Sequence, residues 1–395
     1  MAIQFDLVQT MALAVIVLVL GGKVNRSVPL LQKYCIPSPV VGGLLFSLLT
    51  LAGKQTGFFT VKLDTSLLNF LLVMFFTCTG FLASMAVFKR SGKQGVFLAV
   101  IAVLTVVFQC GIGIGLAEAF GLHPLLGVNM GSAPLVGGLG TAAAFGPSLE
   151  ELGAVGATTV GVAAATFGMV LGSLIGGPVA TSLITRNNLG PANEDSGTAA
   201  HTLAEEKHPS SAKSVTMSLF VLLLTMALGS YLVLLMNKTG IKFPYYVGGV
   251  FAAAIVRNVS DAGLFKLRTQ EIDGIGNAAL GLFLALSLMN LKIWELFNLA
   301  IPMLIILAVQ TIVLGLFAYF VVFRSLGCDY EAAVMSSGYC GVGLGQMPNA
   351  VANMSSIIEK YGPAPNAWFM LPVITVIFLN IFNPLIISLI MNYFR

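Results

Sequence analysis

Residues 337–353 read SGYCGVGLGQMPNAVAN, and residues 132–145 read SAPLVGGLGTAAAF. Both stretches are uncharged, cluster their glycines midway and continue into good helix formers. The pattern reads as helix, bend, helix. Glycine lets a backbone turn and approach a ligand because no Cβ stands in the way. Each stretch lies in a longer weak segment, 124–147 or 332–354, rich in Gly, Ala and small polar residues and poor in Leu, Ile and Phe. Such segments make poor lipid-facing helices. They enter a membrane only where protein or a water-filled cavity satisfies the backbone of the bend.

The remainder of the chain supplies the membrane context. Of 395 residues, 57% are hydrophobic and 9% charged, with a mean hydropathy of +0.93. A soluble domain carries about 25% charged residues, because a globule must cover its surface with polar groups. Lipid as the solvent accounts for the deficit. A crossing helix needs ~20 mostly apolar residues. Ten stretches qualify: 7–22, 36–53, 65–88, 95–117, 155–184, 215–236, 242–257, 274–291, 297–323 and 364–391. The net charge of +4 calls for no nucleic-acid partner. Cys35, Cys78, Cys110, Cys328 and Cys340 form neither a zinc spacing nor a CxxC pair, and read as small buried hydrophobes.

Charge placement orients the chain. Asp6 precedes the first apolar run, and Lys23, Arg26 and Lys33 follow it. This reverses the order of a cleavable signal, so a retained first span is expected. With the two weak segments re-entrant, the outer loops carry Lys54, Lys62, Lys238, Lys242, Lys292 and Arg395, and the inner loops the other 14 basic residues. Inner loops of membrane proteins carry that excess. The expectation is a multi-pass protein of the bacterial inner (plasma) membrane with both termini outside.

The polar stretch 185–213 falls near the midpoint and reads as a cytosolic linker, with His201 and His208 solvated. It separates an N-terminal membrane repeat, 1–184, from a C-terminal one, 214–395. Each holds five spans and one weak segment, and an odd number of crossings inverts the second half against the first. The fold class expected is all-α, two inverted repeats of five transmembrane helices, each with one re-entrant glycine-rich hairpin. Echoes support duplication: Gln109 and Gln310 in the fourth span of each half, Gly138 and Gly140 against Gly343 and Gly345, and Gly177-Pro178 against Asn383-Pro384.

The chemistry on offer is neutral. No acid lies well inside a span; Glu118 marks the end of one. A proton relay needs a buried titratable group, and none is present. A hard cation such as Na⁺ is held instead by carbonyl, hydroxyl and amide oxygens. Half-helix N-termini attract anions and C-termini attract cations. Two bends at matching positions of inverted halves therefore favour a substrate site over a packing seam. The candidates for substrate are Ser132, Gly137, Gly138, Gly140, Thr141, Gly341, Gly343, Gly345, Gln346, Asn349 and Asn353; Thr166, Asn380 and Asn383 are candidates for sodium. The run Gly111–Gly115 reads instead as a packing seam. The amides Gln109 and Gln310 divide between interhelical hydrogen bonding and a site role. No HExxH, no Ser/His/Asp set and no paired carboxylates suggest an enzyme.

These motifs resemble the bacterial sodium:glutamate symporter family. The resemblance covers nearly the whole chain and rests on residues 36–45 (IPSPVVGGLL), 137–141 (GGLGT), 165–168 (ATFG), 172–179 (GSLIGGPV), 282–286 (LFLAL), 294–296 (WEL), Gln310-Thr311, 341–345 (GVGLG) and 350–354 (AVANM). It implies Na⁺-coupled uptake of glutamate or a similar small anionic solute, with Na⁺ as coupling ion and no other cofactor. It also implies an elevator-like movement and a homodimer. Where the family carries a histidine this chain has Leu139; hydroxyl residues are replaced near Pro134, Val136 and Met347, and an aspartate by Asn380. The alternatives are a cation-coupled carrier of another amino acid or carboxylate, and a passive channel.

Overall fold

The computed structural model describes residues 2–29, 37–90, 92–191, 211–238, 243–290 and 299–395. His201 and His208 of the linker, Cys35, and Lys292 lie outside the described residues. Helices dominate: α1 (Leu7–Ser27), α2 (Ser38–Gln55), α3 (Leu68–Gly80), α4 (Met85–Arg90), α5 (Gly92–Ala119), α6 (Pro124–Val128), α7 (Ser132–Leu135), α8 (Gly138–Glu151) and α9 (Ala157–Arg186). After the linker come α10 (Ala212–Asn237), α11 (Tyr245–Asp261), α12 (Thr269–Met289), α13 (Ala300–Phe317, carried on to Ser325 through a π-turn), α14 (Tyr330–Leu344), α15 (Met347–Tyr361) and α16 (Pro365–Tyr393). Asp6 starts α1 with a capping box: Gln9 N–H donates to Asp6 Oδ1 at 2.8 Å, and Asp6 N–H to Gln9 Oε1 at 3.1 Å. A short parallel ribbon, Ala2–Gln4 against Thr60–Lys62, ties the N-terminal end to the α2–α3 connection.

Among the described residues, seven helices are long and apolar enough to cross a membrane: α1, α5, α9, α10, α12, α13 with its extension, and α16. The other three expected spans are shorter, 18 residues in α2, 13 in α3 and 17 in α11. The stretch 65–88 is not one continuous helix. It breaks after Gly80, turns through Phe81–Ser84 and resumes as α4. Asn258 on α11 supplies the hydrogen bonds the break removes. Its Oδ1 accepts from Met85 N–H at 2.8 Å, and its Nδ2 donates to Ala83 O at 2.8 Å. Ser84 hydrogen-bonds Asp261, which also pairs with Arg257 at 3.0 Å. A break in a span persists only when neighbours satisfy the freed backbone, and here they do.

Packing sorts the helices into two groups. The first contains α1, α2, α3, α10, α11 and α12; the second contains α5 to α9 and α13 to α16. Contacts are dense within each group and sparse between them. Each half of the chain therefore contributes its first three spans to one group, and its last two spans plus a broken segment to the other. In the second group α9 packs on α14, α15 and α13, while α16 packs on α5 and α14.

Buried cysteines occur where expected at Cys78, Cys110 and Cys340, but Cys328 is exposed in the turn before α14, at a positive φ of 58°. The seam expected at Gly111–Gly115 reduces to Gly113. A Cβ there would sit 2.1 Å from Gly127 O, whereas Gly111 and Gly115 face open space. Only the residue pointing at α6 has to be small.

Candidate functional site

Both glycine stretches form antiparallel helical hairpins. In the first, α6 and α7 run in and α8 runs back. Asn129, fully buried, donates to Ala142 O at 3.2 Å and to Ala157 O at 2.6 Å, pinning both arms to α9. The bend is Val136-Gly137, and Gly138 opens α8 with φ of +67°. In the second hairpin α14 runs in and α15 runs back, with Gly345-Gln346 as the bend. A Cβ on Gly341 would lie 2.5 Å from Ala350 N, so the two arms touch backbone to backbone. Residues 348 and 147, both prolines, sit inside the returning arms. Pro348 is in the first turn of α15, where a missing N–H costs no helical bond.

The two bends meet. A methyl group placed on Gly138 would stand 2.7 Å from Gln346 Nε2 and 3.0 Å from Gln346 Cγ. One on Gly137 would stand 2.6 Å from Asn383 Nδ2 and 2.4 Å from Thr141. Asn383, buried on α16, donates to Ser132 O at 3.2 Å. The Ser132 hydroxyl and Cys110 Sγ are 2.9 Å apart. Ser132, Gly137, Gly138, Thr141, Gln346 and Asn383 thus converge at one place. The N-termini of α8 and α15 approach each other there, and the C-terminus of α14 ends beside them. Positive and negative helix ends at one locus suit an anion and a cation together.

The second hairpin is held against α9 by its asparagines. Asn349 donates to Met169 O at 2.7 Å; Asn353 donates to Gly172 O at 2.9 Å and to Ser337 O at 3.2 Å. Gly345 leaves room for Asn349, whose Nδ2 lies 2.5 Å from the position of a Cβ. Gly343 faces Leu314 of α13, and its carbonyl accepts from Gln109 Nε2 at 2.6 Å. Gly140 looks the other way, onto Phe75 and Leu280 of the first helix group. Gly341, Gly343 and Asn353 are thus packing residues of the hairpin's arms, behind the bend.

The three sodium candidates separate. Asn383 stands at the bends with an Oδ1 that has no protein partner among the described residues. Asn380 is half-buried three residues earlier on α16. Thr166, half-buried on α9, donates to Val162 O of its own helix at 2.9 Å. Buried oxygens without a protein partner among the described residues also include Asn349 Oδ1, Asn129 Oδ1, Ser337 Oγ, Gln109 Oε1 and Gln310 Oε1. Neutral oxygens of this kind fit a hard monovalent cation. No group of three or more His, Cys, Asp or Glu side chains gathers among the described residues.

A cavity of about 790 Å³ lies between the two helix groups. Asn69, Tyr245 and Ser287 line it from the first group, and Ala144, Ser148 and Glu150 from the second. Glu150 also accepts from Thr158 N–H at 2.9 Å, capping α9. At the neighbouring α2–α3 connection, the hydroxyl and amide of Ser66 hold the Asp64 carboxyl below its usual range.

Asn129 and Ser337 were not singled out by sequence reasoning. Both are polar residues inside the weak segments, and that placement was the available signal.

A family model described as Sodium/glutamate symporter matches residues 3–363. Named relatives agree. The "Sodium/glutamate symporter" of Escherichia coli (strain K12) is 40% identical over 393 residues, covering 98% of this chain and 97% of that protein. The protein of the same name from Haemophilus influenzae is 35% identical over 389 residues, covering 97% and 96%.

Proposed function

The chain belongs to the sodium/glutamate symporter family, and from that premise we propose that it couples inward Na⁺ flow to uptake of L-glutamate, or of a closely similar small anionic solute. The observation that carries the reading is the meeting of two glycine bends beside Asn383, with two helix N-termini and one C-terminus at the same point. Carboxylates of the substrate rest on the free N–H groups that open α8 and α15. Sodium takes the buried amide and carbonyl oxygens that face the same region. No deep arginine is required, because helix ends supply the positive potential.

The two broken segments act as re-entrant hairpins from opposite faces, with the halves inverted. The equal contribution of each half to each helix group supports this arrangement. Both termini lie outside, on the strength of the basic-residue bias. Transport proceeds by an elevator-like slide of the second group against the first. Sparse packing between the groups and a cavity along their boundary favour that motion. A homodimer, built on the exposed apolar faces of the first group, gives the fixed frame.

Uptake of radiolabelled L-glutamate into proteoliposomes tests the reading. Accumulation driven by an inward Na⁺ gradient, and absent with an equal K⁺ gradient, is the expected result. Equal passive entry in both would overturn coupling. Sodium-driven accumulation of another carboxylate, with glutamate ignored, would replace the substrate and keep the mechanism.

A further inference from the structure

Helix α5 carries a stripe of contacts to the second hairpin at four-residue spacing, one helical face. Tyr339 Oη donates to Ile101 O at 3.2 Å and lies 2.6 Å from Thr105 Oγ1; Gln109 Nε2 donates to Gly343 O at 2.6 Å. Gln109 ends the stripe, two residues before the bend at Gly345. Its own carbonyl does two further things. It accepts from Gln310 Nε2 at 2.8 Å, and a Cβ on Gly131, between α6 and α7 in the first hairpin's ingoing arm, would stand only 2.5 Å from it. The next residue, Cys110, meets Ser132 of the same hairpin. One position on α5 therefore touches both hairpins and the corresponding helix of the other half.

The amide orientations are set by chemistry. Turning either glutamine over would aim an oxygen at a carbonyl oxygen. Both side chains are almost fully buried, at 3% and 1% exposure, and each spends its NH₂ while leaving Oε1 without a protein partner among the described residues. An apolar side chain at Gln310 would avoid that cost and leave Gln109 O still capped within its helix. A polar pair kept at a net cost in an apolar setting marks a place where geometry matters more than stability.

We propose that Gln109 is a positioning residue for the symport reaction. Held by Gln310, it fixes the Gly343 carbonyl and thereby sets the second hairpin's bend against the first. It acts through Gly343 and touches neither substrate nor ion. The proposal rests on the Na⁺-coupled reading above and names the device that holds its site together.

The test compares Gln109→Leu, Gln109→Glu and Gln310→Leu with wild type, in full-length protein in proteoliposomes. Gln109→Leu removes the donor, and KM for glutamate at fixed Na⁺ should rise roughly tenfold or more while kcat stays within about threefold; a uniform loss of folded protein would scale kcat instead. Gln109→Glu can donate to Gly343 O only when protonated. Its KM should approach wild type at low pH and climb towards that of the Leu variant as pH rises. Cys110, Tyr339 and Cys340, the titratable neighbours, ordinarily ionise above pH 8. Gln310→Leu should raise KM less, and add nothing in the Gln109→Leu background. Amide hydrogen exchange over residues 339–350, read on the same samples, should quicken in Gln109→Leu, and this readout stands whichever solute the wild type carries. Unchanged KM and unchanged exchange in Gln109→Leu, or Leu and Glu variants alike at every pH, would overturn the proposal. Loss of sodium-driven uptake by wild type overturns the coupling reading instead, and exchange then decides the role of Gln109 alone.

Discussion

Gly138 joins two demands at one residue. Its φ of +67° is the left-handed region that L side chains rarely adopt, and its missing Cβ gives Gln346 its place. An alanine there meets a backbone cost of about 1–2 kcal/mol and drives Gln346 away from the first bend. Gly138→Ala should therefore reduce kcat/KM for uptake at least roughly tenfold, the equivalent of ~1.4 kcal/mol, in protein that still inserts; uptake assays beside surface expression check it. Asn349 makes a second residue-scale case. Asn349→Leu removes one donor from Met169 O, which keeps that of the Ser173 hydroxyl, and removes the buried Oδ1. A loss of about 0.5–1.5 kcal/mol in stability is expected, together with a raised Na⁺ requirement, measured by thermal unfolding and by Na⁺ titration of uptake. The sequence showed these residues as members of glycine-rich stretches. It did not show which of them reach the bend. Gly138 and Gln346 meet, whereas Gly341 and Gly343 pack behind, because that division depends on how two hairpins far apart in the chain are docked.

At the scale of elements, the ten apolar stretches announced ten helices, and the break in the third was hidden. Residues 65–88 carry no Pro, and Gly80 alone is a weak signal. The break is stabilised from α11, by Asn258 and Asp261, far away in sequence. Asn258→Ala removes both hydrogen bonds, and a loss of about 1–3 kcal/mol is expected. Exchange of the amides over residues 81–88 should quicken more than exchange elsewhere; a uniform change would argue against a local role. The opposite case is Gly113. Gly113→Leu would force α5 and α6 apart, since Gly127 O already sits at the place of the first added carbon, whereas Gly115→Leu points into open space and should be tolerated.

For the whole molecule, the division that matters is not the one at the polar linker. Chain halves and packing groups cut across each other, each half giving three spans to one group and two spans with a hairpin to the other. Sequence periodicity cannot report this, because both groups contain helices apolar enough to cross a membrane. Ala227 lines the boundary cavity from α10. Ala227→Trp fills part of that space and should obstruct the sliding proposed above while leaving the bends intact: sodium-dependent glutamate binding is retained and turnover falls roughly tenfold or more. Loss of binding together with turnover would mean that the cavity belongs to the substrate's own site.

The lengths of the helices carry a consequence for the surrounding lipid. The three short ones, α2, α3 and α11, all belong to the first group, whereas α5, α9 and α16 of the second run to 28, 30 and 29 residues. At 1.5 Å per residue, the 18 residues of α2 reach only about 27 Å and the 17 of α11 about 26 Å, against a hydrocarbon core of ~30 Å, while α3 crosses only together with α4. Where α2 and α11 meet lipid, acyl chains would have to compress locally, at fractions of a kcal/mol per Å of mismatch, while α1, α10 and α12 of the same group are long enough to cross unaided. Turnover should then depend on acyl-chain length, falling as the reconstituting lipids are made thicker.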